Sequence, residues 1–242
     1  MSSPLIERFS LKIQNEMGIE VGEDILARFA RYYELLVDWN ERMNLTAITD
    51  QEGVYWKHFF DSATLLTVAQ FNQSSTLLDV GAGAGFPSVP LQILCPELQV
   101  TVLDSLQKRI SFLSELKSQL ELTNFTPVHG RAEDFGRDPK WRGSFDQVTA
   151  RALARLPVLL EFCLPFVKVG GYFFAMKGPD GEAELKESAK ALQTLGGEVE
   201  DVRTFEIKEI EGKRTILVIQ KVKDTPKAYP RKAGTPAKKP IM

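Results

Sequence analysis

LLDVGAGAGFPSVPL, running from Leu77 to Leu91, decides the fold. It reads as an apolar strand with an acid near its C-terminal end, a glycine-rich turn, and a helix opening at Phe86–Pro87. Gly81, Gly83 and Gly85 allow positive φ and a close backbone approach to a ligand, and Pro87 suits a helix start. Such a turn at the C-terminal edge of a parallel sheet is where open α/β folds bind nucleotides.

Dinucleotide-binding domains also carry a glycine triplet, so spacing and charge must discriminate. The pattern here is G-x-G-x-G, one residue tighter than the dinucleotide fingerprint. Asp79 stands two residues before the first glycine. A carboxylate there would repel a pyrophosphate and welcome a cation. Both details favour S-adenosylmethionine, whose amino-acid end is cationic. A turn made for packing, or a nicotinamide or flavin site, remains the alternative.

Outward from the loop, short β-branched or apolar runs alternate with amphipathic stretches. The pattern predicts strands over 76–80, 100–104, 125–128, 145–150 and 171–176. Helices are expected at 88–94, 106–120, 153–166 and 182–195, and two last strands, 198–206 and 214–222, follow without a helix between them. The expectation is an α/β fold: a seven-stranded, mostly parallel, doubly wound sheet ending in an antiparallel edge hairpin. Residues 1–72 read as a helical extension, with apolar positions at helical spacing (Leu5, Ile6, Phe9, Ile13; then Ile25 to Val37; then Phe59, Ser62, Ala63, Leu66, Ala69). Residues 73–222 are expected to form the methyltransferase domain.

Residues 223–242 turn to Pro, Lys, Gly and Ala, which cannot support a core. They are expected to form a basic tail. From Lys221 onward there are seven basic residues against one acid, a net of +6 that leaves −8 for the rest of a chain whose total is −2. A basic end on an acidic body points to a polyanion, or to a solvated arm. At 43% apolar and 26% charged, the chain has material for a full core. It shows no apolar run of membrane-spanning length and no secretory signal at its start. Cys95 and Cys163 lie far apart in apolar surroundings, so neither a disulfide nor a metal is expected. A cytoplasmic setting follows.

Further site candidates sit at strand ends. Asp104, 21 residues beyond Gly83, can accept ribose hydroxyls. Ala132 and Glu133 can meet an adenine edge, one through its amide and one through its carboxylate, unless Glu133 simply begins a helix. Arg151 follows the fourth strand and Lys177–Gly178 the fifth. His58 and Asp61, at i and i+3, share a helix face, as a structural pair or as part of the cleft. Arg109, Arg151, Lys177 and the tail are candidate phosphate contacts.

Taken together, WNERMNLTAI (Trp39–Ile48), KHFFDS (Lys57–Ser62), the glycine loop, RAE (Arg131–Glu133), ARA (Ala150–Ala152), MKG (Met176–Gly178) and YPRKAGTPAKKP (Tyr229–Pro240) closely resemble the glucose-inhibited division protein B family over nearly the whole chain. Lys57 replaces that family's usual arginine, and Ser88 a more common glycine. The resemblance implies a Rossmann-like, S-adenosylmethionine-dependent methyltransferase acting on guanine N7 of small-subunit (16S) ribosomal RNA, free or in the 30S subunit. It implies cofactor contacts at Gly81, Phe86, Ala132, Glu133 and Arg151, to which the residue-level reading adds Asp79, Gly83 and Asp104. Arg151 and His58 are the candidate catalytic residues, with no metal. Another RNA site, or an acceptor that is not nucleic acid, is the alternative.

Overall fold

The computed structural model describes residues 3–71, 74–210 and 212–242. In chain order its helices are α1 (Pro4–Met17), α2 (Glu23–Met43), α3 (Gln51–Val54), α4 (Asp61–Ala63), α5 (Ser88–Leu94), α6 (Gln107–Gln119), α7 (Ala132–Phe135), α8 (Leu156–Cys163), α9 (Gly181–Glu187), α10 (Ala189–Leu195) and α11 (Thr235–Lys238). The strands are β1 (Thr76–Val80), β2 (Gln99–Asp104), β3 (Phe125–His129), β4 (Phe145–Arg151), β5 (Val167–Lys177), β6 (Gly197–Glu206) and β7 (Lys213–Lys221).

They form one sheet in the order β3-β2-β1-β4-β5-β7-β6. Pairing is parallel from β3 through β5, while β7 runs antiparallel to both β5 and β6. The closing hairpin therefore occupies one edge, with its antiparallel strand on the inner side. The connection from β1 leads to β2 and that from β4 leads to β5, on the other side. Chains diverging from two adjacent parallel strands open a crevice at their C-terminal ends.

Alternating side chains divide the strands between two cores. Leu77, Val100, Val102, Phe174, Ile216 and Val218 face one; Leu78, Leu103, Val148, Phe173, Leu217 and Ile219 face the other. The first core also holds Phe9, Phe29, Tyr32, Tyr55, Trp56 and Phe59. The N-terminal helices thus share the sheet's core. The domain boundary expected after residue 72 falls on Asn72 and Gln73, outside the described residues.

Three sequence expectations change. The third N-terminal helix is interrupted: α3, opened by the Asp50 carboxylate accepting the Gly53 amide at 2.7 Å, passes into a π-helical turn at Tyr55–Phe60, then α4 and a 3₁₀ turn. Wider π turns occur mostly as single turns within helices, often at functional sites. The helix expected over 182–195 is two, α9 and α10, meeting at Ser188. The tail is not a free arm: Ile241 packs into the second core and Pro236 is buried. Lys221, counted with that tail by charge, ends β7 and is almost fully buried.

Candidate active site

The crevice carries two cavities, divided by the loop after β4. A cavity of about 220 Å³ includes Gly81, Asp104, Ala132 and Glu133 in its lining. A second, of about 340 Å³, includes Lys57, His58, Asp61, Arg151, Lys177 and Arg214. Ala152 faces the second and Leu153 the first. Ala152 holds φ +53° without being glycine, a strained conformation of the kind that collects at functional sites.

The glycine loop is shaped on both sides. A Cβ at Gly85 would lie 2.8 Å from Tyr32 Oη and 2.7 Å from Val89 Cγ2, so helix packing requires glycine there. Tyr32 donates its hydroxyl to Ala84 O at 2.5 Å and stacks between Phe59 and Phe86. Gly83, at φ +61°, faces open space: a Cβ there would meet nothing within 4 Å. The loop is clamped from behind and open in front.

Asp79 is fully buried. Its Oδ2 accepts the Ser88 amide at 3.2 Å, while Oδ1 has no hydrogen-bond partner. Burial pushes its pKa up to about 7, aided by the Asp104 charge and opposed by Ser88 and Arg151. An orphan carboxylate oxygen beside an open glycine arch fits a cationic ligand. Asp104 is held by amides as well: Gly83 N at 3.2 Å and Leu106 N at 2.9 Å, with Arg109 Nη1 at 3.3 Å. Of about four lone-pair sites on a carboxylate, one remains for a ribose hydroxyl. Ala132 opens α7, so its amide belongs to the first turn, which lacks intrahelical partners. Glu133 is buried, and its Oε1 accepts the Gly234 amide at 3.1 Å.

Arg151 lines the second cavity. Its Nη1 donates to Asp61 Oδ2 at 2.7 Å, its Nη2 lies 3.3 Å from His58 Nδ1, and its guanidinium carbon stands 4.9 Å from the Phe86 ring centre. Asp61 Oδ1 accepts Arg214 Nε at 2.9 Å. Burial, then the Arg151 charge, pushes the His58 pKa down to about 3, so the ring is neutral. It stacks on Phe86 with centroids 4.5 Å apart, and Nε2 meets Thr46 Oγ1 at 2.8 Å.

The Trp39–Ile48 motif holds that threonine in place. Asn44, at φ +50°, ends α2, Asn40 Oδ1 accepts the Thr46 amide at 2.8 Å, and Thr46 Oγ1 accepts the Ile48 amide at 3.0 Å.

The structure places Gly81, Asp104, Ala132 and Glu133 on the first cavity and Arg151 and His58 on the second; Phe86 stacks on His58 and the Gly83 amide binds Asp104, while Asp79 is buried and lines neither. It also gives the phosphate candidates partners within the protein. Arg151 is held by Asp61, Lys177 by Glu184 at 2.8 Å and Ala154 O at 2.9 Å, and Arg109 by Asp104. Sequence reasoning missed Thr46, Arg214 and Glu161. Glu161 did carry a signal: one acid within an apolar helix must find a cation, and here it finds Arg231.

Sheet order, crevice and glycine loop are those of one class: a Rossmann-like methyltransferase that uses S-adenosylmethionine. Likeness to solved structures supports that fold. The YcgJ protein of Bacillus subtilis superposes with TM-score 0.52 at 15% identity, covering 70% of this chain and all of that one. A 16S rRNA adenine-N1 methyltransferase from Catenulisporales acidiphilia gives 0.53 at 19% identity, covering 63% and 87%. Residues 25–216 match the family described as rRNA small subunit methyltransferase G. Proteins of that name from Geobacillus thermodenitrificans and Bacillus subtilis are 57% and 52% identical, covering 94% and 98% of this chain and 95% and 98% of their own. The chain belongs to that family.

Proposed function

We propose that the chain transfers the methyl group of S-adenosylmethionine to N7 of a guanine in small-subunit ribosomal RNA, in the cytoplasm, with free RNA or the 30S subunit as substrate. The observation carrying this reading is the chemistry of the larger cavity. Its histidine is neutral with both ring nitrogens engaged, Asp61 is held by two arginines, and Glu184 is held by Lys177 and the Leu156 amide at 2.6 Å. These groups are positioned, and none is poised to take a proton. Guanine N7 has a free lone pair and loses no proton on methylation, so it suits such a cavity.

When bound, S-adenosylmethionine would supply a methyl group made electrophilic by its sulfonium, for transfer to N7 with a neutral thioether as the leaving group. Asp79 would hold the cofactor's ammonium group, Asp104 its ribose, and Ala132 and Glu133 its adenine. Arg151, Asp61 and Arg214 fix the wall against which the base is placed, and the ridge from Ala152 to Leu153 sets how the cavities meet. Catalysis rests on position and exclusion of water. Lys57, on the cavity rim, and the outward tail lysines Lys227, Lys232, Lys238 and Lys239 are exposed cations suited to phosphate. No helix among the described residues is long and apolar enough to cross a membrane.

The test gives the protein methyl-labelled cofactor with free small-subunit RNA or assembled 30S subunits. Modified RNA is then reduced and treated with aniline, which cleaves at N7-methylguanine. Strand scission at one guanine, matching the label, is expected. Label on an exocyclic amine, a ribose or protein would overturn the reading.

A further inference from the structure

The C-terminal segment has the composition of a solvated arm and the contacts of a built part. Lys221 Nζ, buried at the end of β7, donates to Leu164 O and to Thr225 Oγ1, whose hydroxyl donates to Leu195 O at 2.7 Å. The Arg142 guanidinium gathers the carbonyls of Thr225, Pro226 and Tyr229, and that of Gly136. Arg137 Nε donates to Pro230 O at 2.7 Å. These donors satisfy carbonyls in a segment with little regular structure of its own.

Two carboxylates then fix the strap at the catalytic face. Glu161, fully buried in α8, receives the Arg231 amide at 2.7 Å, Nε at 2.9 Å and Nη2 at 2.6 Å. Three residues on, the chain turns through Gly234 at φ +80° and sends that amide to Glu133 Oε1 at 3.1 Å. A Cβ on Gly234 would meet nothing within 4 Å. Glycine is there for the left-handed turn that aims the N–H. The strap closes with α11, buried Pro236 and Ile241. Its lysines at 232, 238 and 239 stay exposed.

We propose that this strap belongs to the cofactor site. By holding Oε1 of Glu133, Gly234 fixes the carboxylate's rotation and leaves Oε2 for donors on the cofactor. Affinity for S-adenosylmethionine then depends on a segment that does not touch it. The proposal rests on reading Glu133 as a cofactor contact. Glu133 is the contact residue, and Gly234, with Arg231 as anchor, is a positioning residue.

The test measures S-adenosylmethionine binding by calorimetry, without RNA, and separates kcat from KM. Three variants are compared: Glu133→Gln, Gly234→Pro in the full chain, and a chain ending at Pro230 with Glu161→Leu, which removes the strap's end without stranding a buried charge. The last guards against local damage from proline at a left-handed position. Each should weaken cofactor binding about tenfold, as loss of one hydrogen bond to a charged group does, and raise the cofactor KM to match. Adding Glu133→Gln to either strap change should cost nothing more, because both break one unit. A weakened Glu133→Gln beside unaffected strap variants overturns the strap's role and spares the reading of Glu133. No effect of Glu133→Gln overturns that reading and the proposal with it. Additive losses, or a fall in kcat alone, mean general destabilisation or an RNA role, and also overturn it.

Discussion

The two halves of the crevice hold their acids differently. On the cofactor side, Asp79 accepts the Ser88 amide, nine residues on, and Asp104 accepts the amides of Leu106, two on, and Gly83, 21 back, with a single, partly exposed guanidinium, Arg109, beside it. On the acceptor side, Asp61 is held by guanidinium groups 90 and 153 residues away. Amides orient a carboxylate without cancelling its charge, so it can still receive a cation or hydroxyl. Paired arginines cancel it and turn it into a strut. On the proposed reading the same residue type serves as a ligand in one half and as a brace in the other, and substitutions in the two halves should move stability in opposite directions.

Asp79→Asn should show the largest effect. With a folded pKa of about 7 against an ordinary value of 3.8, Asp79 binds more protons in the native state than in the unfolded state between those values. Its ionisation therefore removes stability as pH rises through that window, and the whole cost is present above it. A cofactor ammonium needs the ionised form, so affinity should fall up to about tenfold per pH unit below 7. Asparagine is expected to reduce affinity by about a hundredfold. It should also stabilise the free protein by about 1–3 kcal/mol at pH 8, a gain that shrinks toward pH 5. Thermal unfolding at both pH values, with cofactor titration, measures this. A variant less stable than the parent at pH 8 would break the comparison.

Asp61→Asn should do the reverse. It leaves Arg151 and Arg214 facing one another without their shared anion, at a site where Asp61 is almost fully buried. Breaking such a pair costs about 3 kcal/mol. A displaced wall should reduce kcat about a hundredfold, with cofactor affinity affected by less than about tenfold. Denaturant unfolding and steady-state kinetics read both. A loss confined to cofactor binding would place Asp61 in the wrong half.

The same contrast explains what could be read from the chain alone. The Leu77–Leu91 loop, Asp104 and the strand alternation depend on near neighbours, and spacing carries that information. The helix at 88–94 was legible because its apolar run follows a fixed turn. Arg214 against Asp61 is a tertiary pair between α4 and β7, and no local pattern announces it. Arg151 was legible as a strand-end residue, whereas its engagement with Asp61, His58 and Phe86 was not. The strap misleads for a physical reason. Its lysines are solvated, as composition says, while its backbone is fixed by donors and acceptors elsewhere: Arg142, Arg137 and the buried Glu161. Composition reports side chains and is silent on where the carbonyls go.

Thr46→Val probes the acceptor half most gently. A neutral imidazole has one donor and one acceptor nitrogen. His58 Nδ1 faces the Arg151 donor at 3.3 Å and the Lys57 carbonyl at 3.1 Å, while Nε2 faces Thr46 Oγ1. Accepting from Arg151 at Nδ1 places the proton on Nε2, directed at Thr46. Valine removes that acceptor, along with the bond from the Ile48 amide. The ring must then leave N–H unpaired or turn a proton toward Arg151. A stability loss of about 1–2 kcal/mol is expected, with kcat lower by about threefold. Imidazole ¹⁵N shifts should show the Nε2-protonated form in the parent and a mixture in the variant. Because the folded His58 pKa of about 3 lies below its ordinary 6.5, the native state binds fewer protons between those values and loses stability as pH falls through them. Both proteins share that slope if Thr46 selects the tautomer alone. A gap between them that widens below pH 6 would show that Thr46 instead governs His58's protonation, and that the brace on the acceptor side is itself sensitive to acid.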